Sequence, residues 1–232
     1  MVKIRWDPLV TETSQRLYGL SALIEMIDRA TPEMELHERD ALKQVAEHEN
    51  WDFGDYSAED QFLDVKFGYW IPRLAHYSIV ILLSSIVETQ LLAYARRVGE
   101  REKSPFEPKD LKGSVLERAA LYVRKVSGVE LTKNERWKVL KDLQDLRDTI
   151  VHRAGKPGDD KKDQFAQMGE LYPGVSIDEN PYTIQTYSAL GLTINSCRYF
   201  AREVEAFFKD LFNKEGWPVE TGLWPNIESG FR

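Results

Sequence analysis

The chain has 232 residues, enough for one domain with an appendage and for a sizeable buried core. With 42% hydrophobic and 30% charged residues it reads as soluble and globular, and a net charge of −7 argues against a generic nucleic-acid coat or a membrane-surface protein, although a locally basic site stays open. The one cysteine, Cys197, excludes a disulfide framework and a cysteine-rich metal cluster, and suits a reducing compartment.

The first residues, "MVKIRWDPLV", lack the apolar run of a secretion signal, and the most apolar stretch, "YSIVILLSSIV" from Tyr77, reads as too short to span a bilayer. The expectation is a cytoplasmic protein with no membrane partner. Asp7 and Pro8 have the form of an N-cap and first-turn pair, and Leu17, Leu20, Leu23, Ile24 and Ile27 follow at helical spacing, predicting a helix that ends before Pro32. The charged segment "PEMELHERDALKQVAEHEN" predicts a second, surface-lying helix. Within "WDFGDYSAEDQFLDVKFGYW", Ser57 and Asp60 stand at capping-box spacing and predict a short helix.

From Pro72 to about Val98 the residues are apolar almost all round, as a central helix covered on several sides requires. Ser114 with Glu117 predicts a capping box for a helix that stops at Gly128, and Thr132 with Glu135 predicts the start of the next, which stops at Gly155. A loop of roughly thirty residues follows, too long for a plain connector. Its span from Lys156 to Tyr182 is expected to act as a mobile flap. A last helix over "SALGLTINSCRYFAREVEAFFKDLFNKEG" closes at Gly216, ahead of a tail with Trp and Pro. The fold class expected is all-α.

The helix predicted over Thr132–Ala154 carries the chemistry. Projected at about 100° per residue, Val139, Leu143, Leu146 and Ile150 form one apolar stripe, and Leu140 and Val151 widen the arc. Arg147 falls inside that arc, whereas Lys141, Asp145, Asp148 and His152 line the polar side. Arg147 and His152 are therefore splayed by roughly 140° and separated by about 7.5 Å along the axis, so one helix does not make them converge. Arg147 has two readings: its stem covers apolar surface while its head reaches water, or it is partly buried against a carboxylate, for which Glu88 in the central helix is the named partner. His152 in a last turn is favoured by the helix dipole, and Asp148 four residues earlier supports it; the same placement suits a general acid/base.

Other candidates are weaker. His37 and His48 lie on a charged segment without close metal-ligand spacing, and His76 is expected to be a satisfied, partly buried imidazole. Cys197 is expected to be a small buried residue. No phosphate-cradling glycine loop, nucleophile elbow or zinc motif appears, so no metal or cofactor is expected. Arg153, Lys156, Lys161 and Lys162 follow the helix and suit an RNA backbone, but Asp159, Asp160 and Asp163 interrupt them and suit a plain solvated loop equally.

The hexapeptide "RDTIVH", Arg147 to His152, resembles the signature of the HEPN superfamily, and so does its context: an apolar helix bearing a glutamate, "SSIVETQLLAY" with Glu88, then a further helix, then the helix that ends on the motif. The resemblance covers roughly Ser57 to Lys214. It implies a HEPN-like helical domain at 57–215, with an N-terminal helical extension at 1–56 and a tail at 216–232. It also implies a homodimer that brings the motif helices of two copies into one cleft, and a metal-independent endoribonuclease that acts as a toxin or anti-phage effector. In that scheme the catalytic group is Arg147, Asp148 and His152: His152 is the acid/base, Arg147 stabilises charge on the scissile phosphate, and Asp148 takes a position usually held by a small polar residue. Glu88 supports them, and Arg153 and Lys156 contact RNA. Some HEPN toxins carry a tyrosine two residues after the histidine that a partner nucleotidyltransferase modifies. Ala154 stands there instead, which leaves an antitoxin or defence-system partner of another kind open. The alternative is a catalytically silent HEPN module that binds a protein or nucleotide.

Overall fold

The computed structural model describes residues 7–179 and 188–216, which are mostly α-helix with one two-stranded sheet, as an all-α chain should be. Asp7 caps α1 (Pro8–Glu49), its Oδ1 accepting the Leu9 and Val10 amides at 3.0 and 3.2 Å. The predicted stop at Pro32 does not occur: α1 runs 42 residues with Pro32 inside it. A proline there removes one intrahelical bond and crowds the preceding turn, at roughly 3 kcal/mol. The helix formers Glu, Met, Leu, Ala and Lys on its C-terminal side carry the helix on.

The short helix starts earlier than predicted. It is α2 (Phe53–Val65), capped by Asp52, whose carboxylate accepts the Asp55 amide at 2.9 Å; Ser57 lies inside it. A π-helical turn, Lys66–Trp70, leads without a break into α3 (Ile71–Arg101). The helical run Phe53–Arg101 contains an 18-residue window of mean hydropathy 1.6, long and apolar enough to cross a membrane by length and composition; half of that window is buried, and the core helix of a soluble protein meets the same test.

The capping box of α4 (Val115–Ser127) forms as predicted: Ser114 Oγ accepts the Glu117 amide at 3.3 Å and Glu117 Oε2 accepts the Ser114 amide at 3.0 Å. Gly128 closes the helix at φ +75°, a conformation that suits a residue without Cβ. The Thr132–Glu135 box does not form. Buried Leu131 instead anchors a 3₁₀ turn, Leu131–Lys133, and α5 begins at Trp137 and ends at Arg153.

The expected flap is ordered structure as far as Glu179, with 180–182 outside the described residues. It contains α6 (Lys162–Leu171), which buries Phe165 and Met168, and β1 (Val175–Glu179). β1 pairs antiparallel with β2 (Ser188–Leu192), Val175 opposite Leu192 and Ile177 opposite Leu190. Ser188–Leu192, read above as the start of the last helix, is thus a strand, and α7 runs from Ile194 to Lys214. Gly216 follows at φ +68°, and the rest of the tail lies outside the described residues.

The chain forms two compact units. In the first (residues 7–21, 80–148 and 199–216), Leu83, Val87, Leu91 and Tyr94 of α3 are buried with Leu140, Leu143 and Leu146 of α5 and the aromatic run Phe200, Phe207, Phe208 and Phe212 of α7. Polar pairs also tie elements of this unit together: Thr13 Oγ1 meets Gln90 Oε1 at 2.9 Å, and Asp7 holds Arg97 at 2.6 Å. In the second (Ala22–Ile79 and Thr149–Arg198), Phe67, Ile79, Phe165, Met168, Leu190 and Cys197 are buried.

Because Phe165 is wholly buried in α6, Phe165→Ala should lower unfolding free energy by about 3–5 kcal/mol in denaturant melts. A loss near zero would mean that this segment is the loose flap the sequence suggested.

Candidate functional site

α5 positions the motif by its periodicity. Leu140, Leu143 and Leu146 are at most 1% exposed and fix which side of the helix faces the core. Lys138 and Asp142 pair at 2.5 Å one turn apart, and Lys141 reaches Glu117 of α4 at 2.8 Å. The apolar arc is narrower than predicted, since Val151 is 45% exposed.

Arg147 lies on the border of the buried stripe, its side chain 31% exposed. Its partner is not Glu88 but the adjacent Asp148: Arg147 Nη1 donates to Asp148 Oδ1 at 2.7 Å. This also commits the Asp148 carboxylate to a task other than the predicted support of His152. Glu88 is close enough to act electrostatically. Burial pushes its carboxyl above the ordinary carboxylate value, and Asp148 adds to that shift, while the Arg147 and Arg118 guanidinium groups oppose it. Arg147, Asp148 and Glu88 are thereby brought together in the first unit, with Arg118 of α4 as a fourth member that the sequence reading missed. Nothing in the spacing of α4 separates Arg118 from Arg124. Its Nε is buried without a hydrogen-bond partner among the described residues, which distinguishes it from Arg124 only in three dimensions.

His152, Arg153 and Lys156 belong to the second unit and are exposed. Among the described residues His152 has no side-chain hydrogen bond or ion pair. Arg153 faces Asp160 at 3.4 Å, so the acidic residues that interrupt the basic run engage it directly. α5 ends in two residues of positive φ, Ala154 at +52° and Gly155 at +77°, and the Gly155 amide closes back onto the Thr149 carbonyl at 3.1 Å.

The minor candidates behave as expected. Cys197 is buried, and burial pushes its thiol up to about 12, far from a reactive thiolate. His76 is buried, and its Nδ1 lies 2.7 Å from the Leu192 carbonyl, which makes Nδ1 the protonated nitrogen; burial lowers its pKa. His37 and His48 are exposed. Among the described residues no three His, Cys, Asp or Glu side chains converge on one point where a metal ion could sit.

The acidity of the chain is local. Residues 31–65, the C-terminal part of α1 and all of α2, hold eleven Asp and Glu against two Lys and Arg, a balance of −9 within a total of −7. The remainder of the chain is therefore net positive by 2.

Comparison with models of known protein families, with curated proteins and with solved structures finds no match for this chain.

The raised Glu88 carboxyl has a pH consequence. A carboxyl whose folded pKa lies above its unfolded one contributes stability below the unfolded value, near 4.5, and loses it as pH rises through the folded value. Glu88→Gln should therefore match wild type in thermal midpoint in acid and exceed it increasingly toward neutral pH. A midpoint difference that stays constant with pH would show that Glu88 is not held in this way.

Proposed function

We propose that the chain is a metal-independent endoribonuclease of the HEPN type, acting in the cytoplasm as a toxin or anti-phage effector and working as a homodimer. The observation that carries this reading is the group of Arg147, Asp148 and Glu88 on the border of the α5 stripe, with His152 exposed in the last turn of the same helix. Arg147 presents a planar fork that matches two oxygens of a phosphodiester, which a lysine would not do equally well. Asp148 holds that fork until substrate arrives and then yields to the phosphate, so the arginine is charged and oriented before binding.

His152 takes the proton of the ribose 2′-hydroxyl as the 2′-oxygen attacks phosphorus, or gives a proton to the 5′-oxygen as the bond between phosphorus and that oxygen breaks. Two copies related by a two-fold axis supply two imidazoles, one for each transfer. The splay of Arg147 and His152 on one helix is the reason for invoking a second copy. The products are a 2′,3′-cyclic phosphate and a 5′-hydroxyl, and DNA, which lacks the nucleophile, is not cut.

Charge and shape in the first unit suit an RNA substrate. That unit, which holds Arg147, is net positive by 2, whereas the unit that holds His152 also holds residues 31–65 and is net negative by 9. In the first unit, Trp137 and Lys141 of α5 line a depression of about 360 Å³ with Lys112 and Arg124; Glu117, which pairs with Lys141, and Glu130 also line it, so three cations stand against two carboxylates there.

His152→Ala and Arg147→Ala should each cut RNA cleavage by about a hundredfold or more while the protein stays folded by circular dichroism. Chelators should leave wild-type activity unchanged, and light scattering at micromolar concentration should give a dimer mass. Cleavage that survives in His152→Ala, or that stops on adding EDTA, would reject the mechanism. RNA or nucleotide binding without cleavage would instead identify a silent binding module.

A further inference from the structure

α5 ends against a hydrogen-bonded junction that the motif itself does not predict. The Gly155 carbonyl accepts the Leu190 amide of β2 at 2.8 Å. The Leu190 carbonyl accepts two donors from α3, Tyr77 Oη at 2.7 Å and Arg73 Nη2 at 2.8 Å. In an antiparallel pair alternate residues turn their peptide groups away from the partner strand, and Leu190, opposite Ile177, uses that outward edge for α3 and the end of α5. Leu192, two residues on, uses the same edge to accept from His76.

The fit around Gly155 is close. A Cβ added there would lie 2.2 Å from Tyr77 Oη and 2.6 Å from Tyr77 Cζ, and the backbone already sits at φ +77°. Only glycine meets both conditions. Tyr77 is buried, and Arg73 stacks over its ring with the guanidinium carbon 5.7 Å from the centroid. Arg73 is itself held by Tyr69 Oη and lies 3.9 Å from Asp178 of β1. All of these residues belong to the second unit, as does His152, three residues before Gly155.

We propose that Tyr77 is a positioning residue for His152: by anchoring Leu190, and through it the Gly155 backbone, it holds the last turn of α5 so that the imidazole keeps one place. The inference rests on the reading of His152 as the acid/base. A hydrogen-bonded frame on the helix end spares the reaction from fixing a side chain that has no side-chain partner among the described residues, and orientation of this kind accounts for a large part of rate.

The test is Tyr77→Phe, which keeps the ring and deletes the donor, beside Tyr122→Phe as a control. Tyr122 Oη donates to the Phe106 carbonyl at 2.9 Å in the first unit, an equivalent bond that involves neither α5 nor β2. Tyr77→Phe should lower kcat by tenfold or more with KM within twofold of wild type, and Tyr122→Phe should change neither. The second readout needs no activity. In NMR spectra the His152 ring resonances should shift or broaden in Tyr77→Phe and stay in place in Tyr122→Phe, with the Leu190 amide exchanging at least tenfold faster only in the former. Wild-type kcat in Tyr77→Phe, or unchanged His152 resonances alongside a freed Leu190 amide, would overturn the proposal. A wild type that cleaves no RNA would remove the acid/base reading, and the spectra would still decide whether Tyr77 places the imidazole.

Discussion

Everything at the candidate site depends on one constraint: α5 has to bury Leu140, Leu143 and Leu146 while carrying Arg147 next to them on the same helix. Leucine at spacings of three fixes the rotation of the helix, and the rotation then fixes how far a residue at position 147 can reach. Arg147 ends up neither inside nor out, and its charge needs local neutralisation because water solvates only part of it. Asp148 supplies that at the cost of its own freedom. Glu88 is then left partly buried, with no ion pair among the described residues, and burial holds its carboxyl above the ordinary value.

Electrostatics at the scale of the whole chain needs the same local reading. A net charge of −7 argues against a generic nucleic-acid coat, but that number averages over −9 in residues 31–65 and +2 in the remainder. The acidic segment is organised by its own cations. Arg39 bonds to Glu35, Asp60 and Asp64 at 2.9, 2.6 and 2.5 Å, and Lys66 bonds to Glu38 at 2.6 Å, so α1 and α2 are laced together by a few cations among many carboxylates. These groups are partly exposed, and each pair alone is worth little. One arginine shared by three carboxylates orders more chain per cation than separate pairs would. Net charge therefore describes solubility better than it describes what one face will bind.

The sequence was most legible where a single local rule acts. Asp7, the Ser114–Glu117 box and the glycines at 128 and 216 each end or start a helix as expected, because a cap satisfies backbone groups within one turn of itself. It was least legible where distant partners decide. A stop at Pro32 follows from a rule for proline that is local, while the length and composition of α1 outweigh one missing bond. "SALGL" is a short apolar run with no period of its own and passes for helix in sequence; only the pairing with Val175–Glu179 and the donors from α3 make it a strand. The charged run before Phe165 hid a ten-residue helix whose two buried side chains are three apart.

The candidate site divides along the same line. The splay of Arg147 and His152 is a property of helical geometry and was available from spacing alone. The choice of partner for Arg147 was not, because a wheel places a residue on a face without saying which neighbour its side chain will take. The two readings offered for that arginine, a stem lying over apolar surface or a buried pair with Glu88, turn out to be incomplete. The first has no partner and the second takes one from another helix, whereas the carboxylate that Arg147 meets is the next residue along the chain. A guanidinium held by a neighbour in sequence keeps its charge wherever the helix is placed, and it can be released without disturbing any packed element. An arginine locked to a carboxylate on another helix would have to break a tertiary contact before it could meet a phosphate.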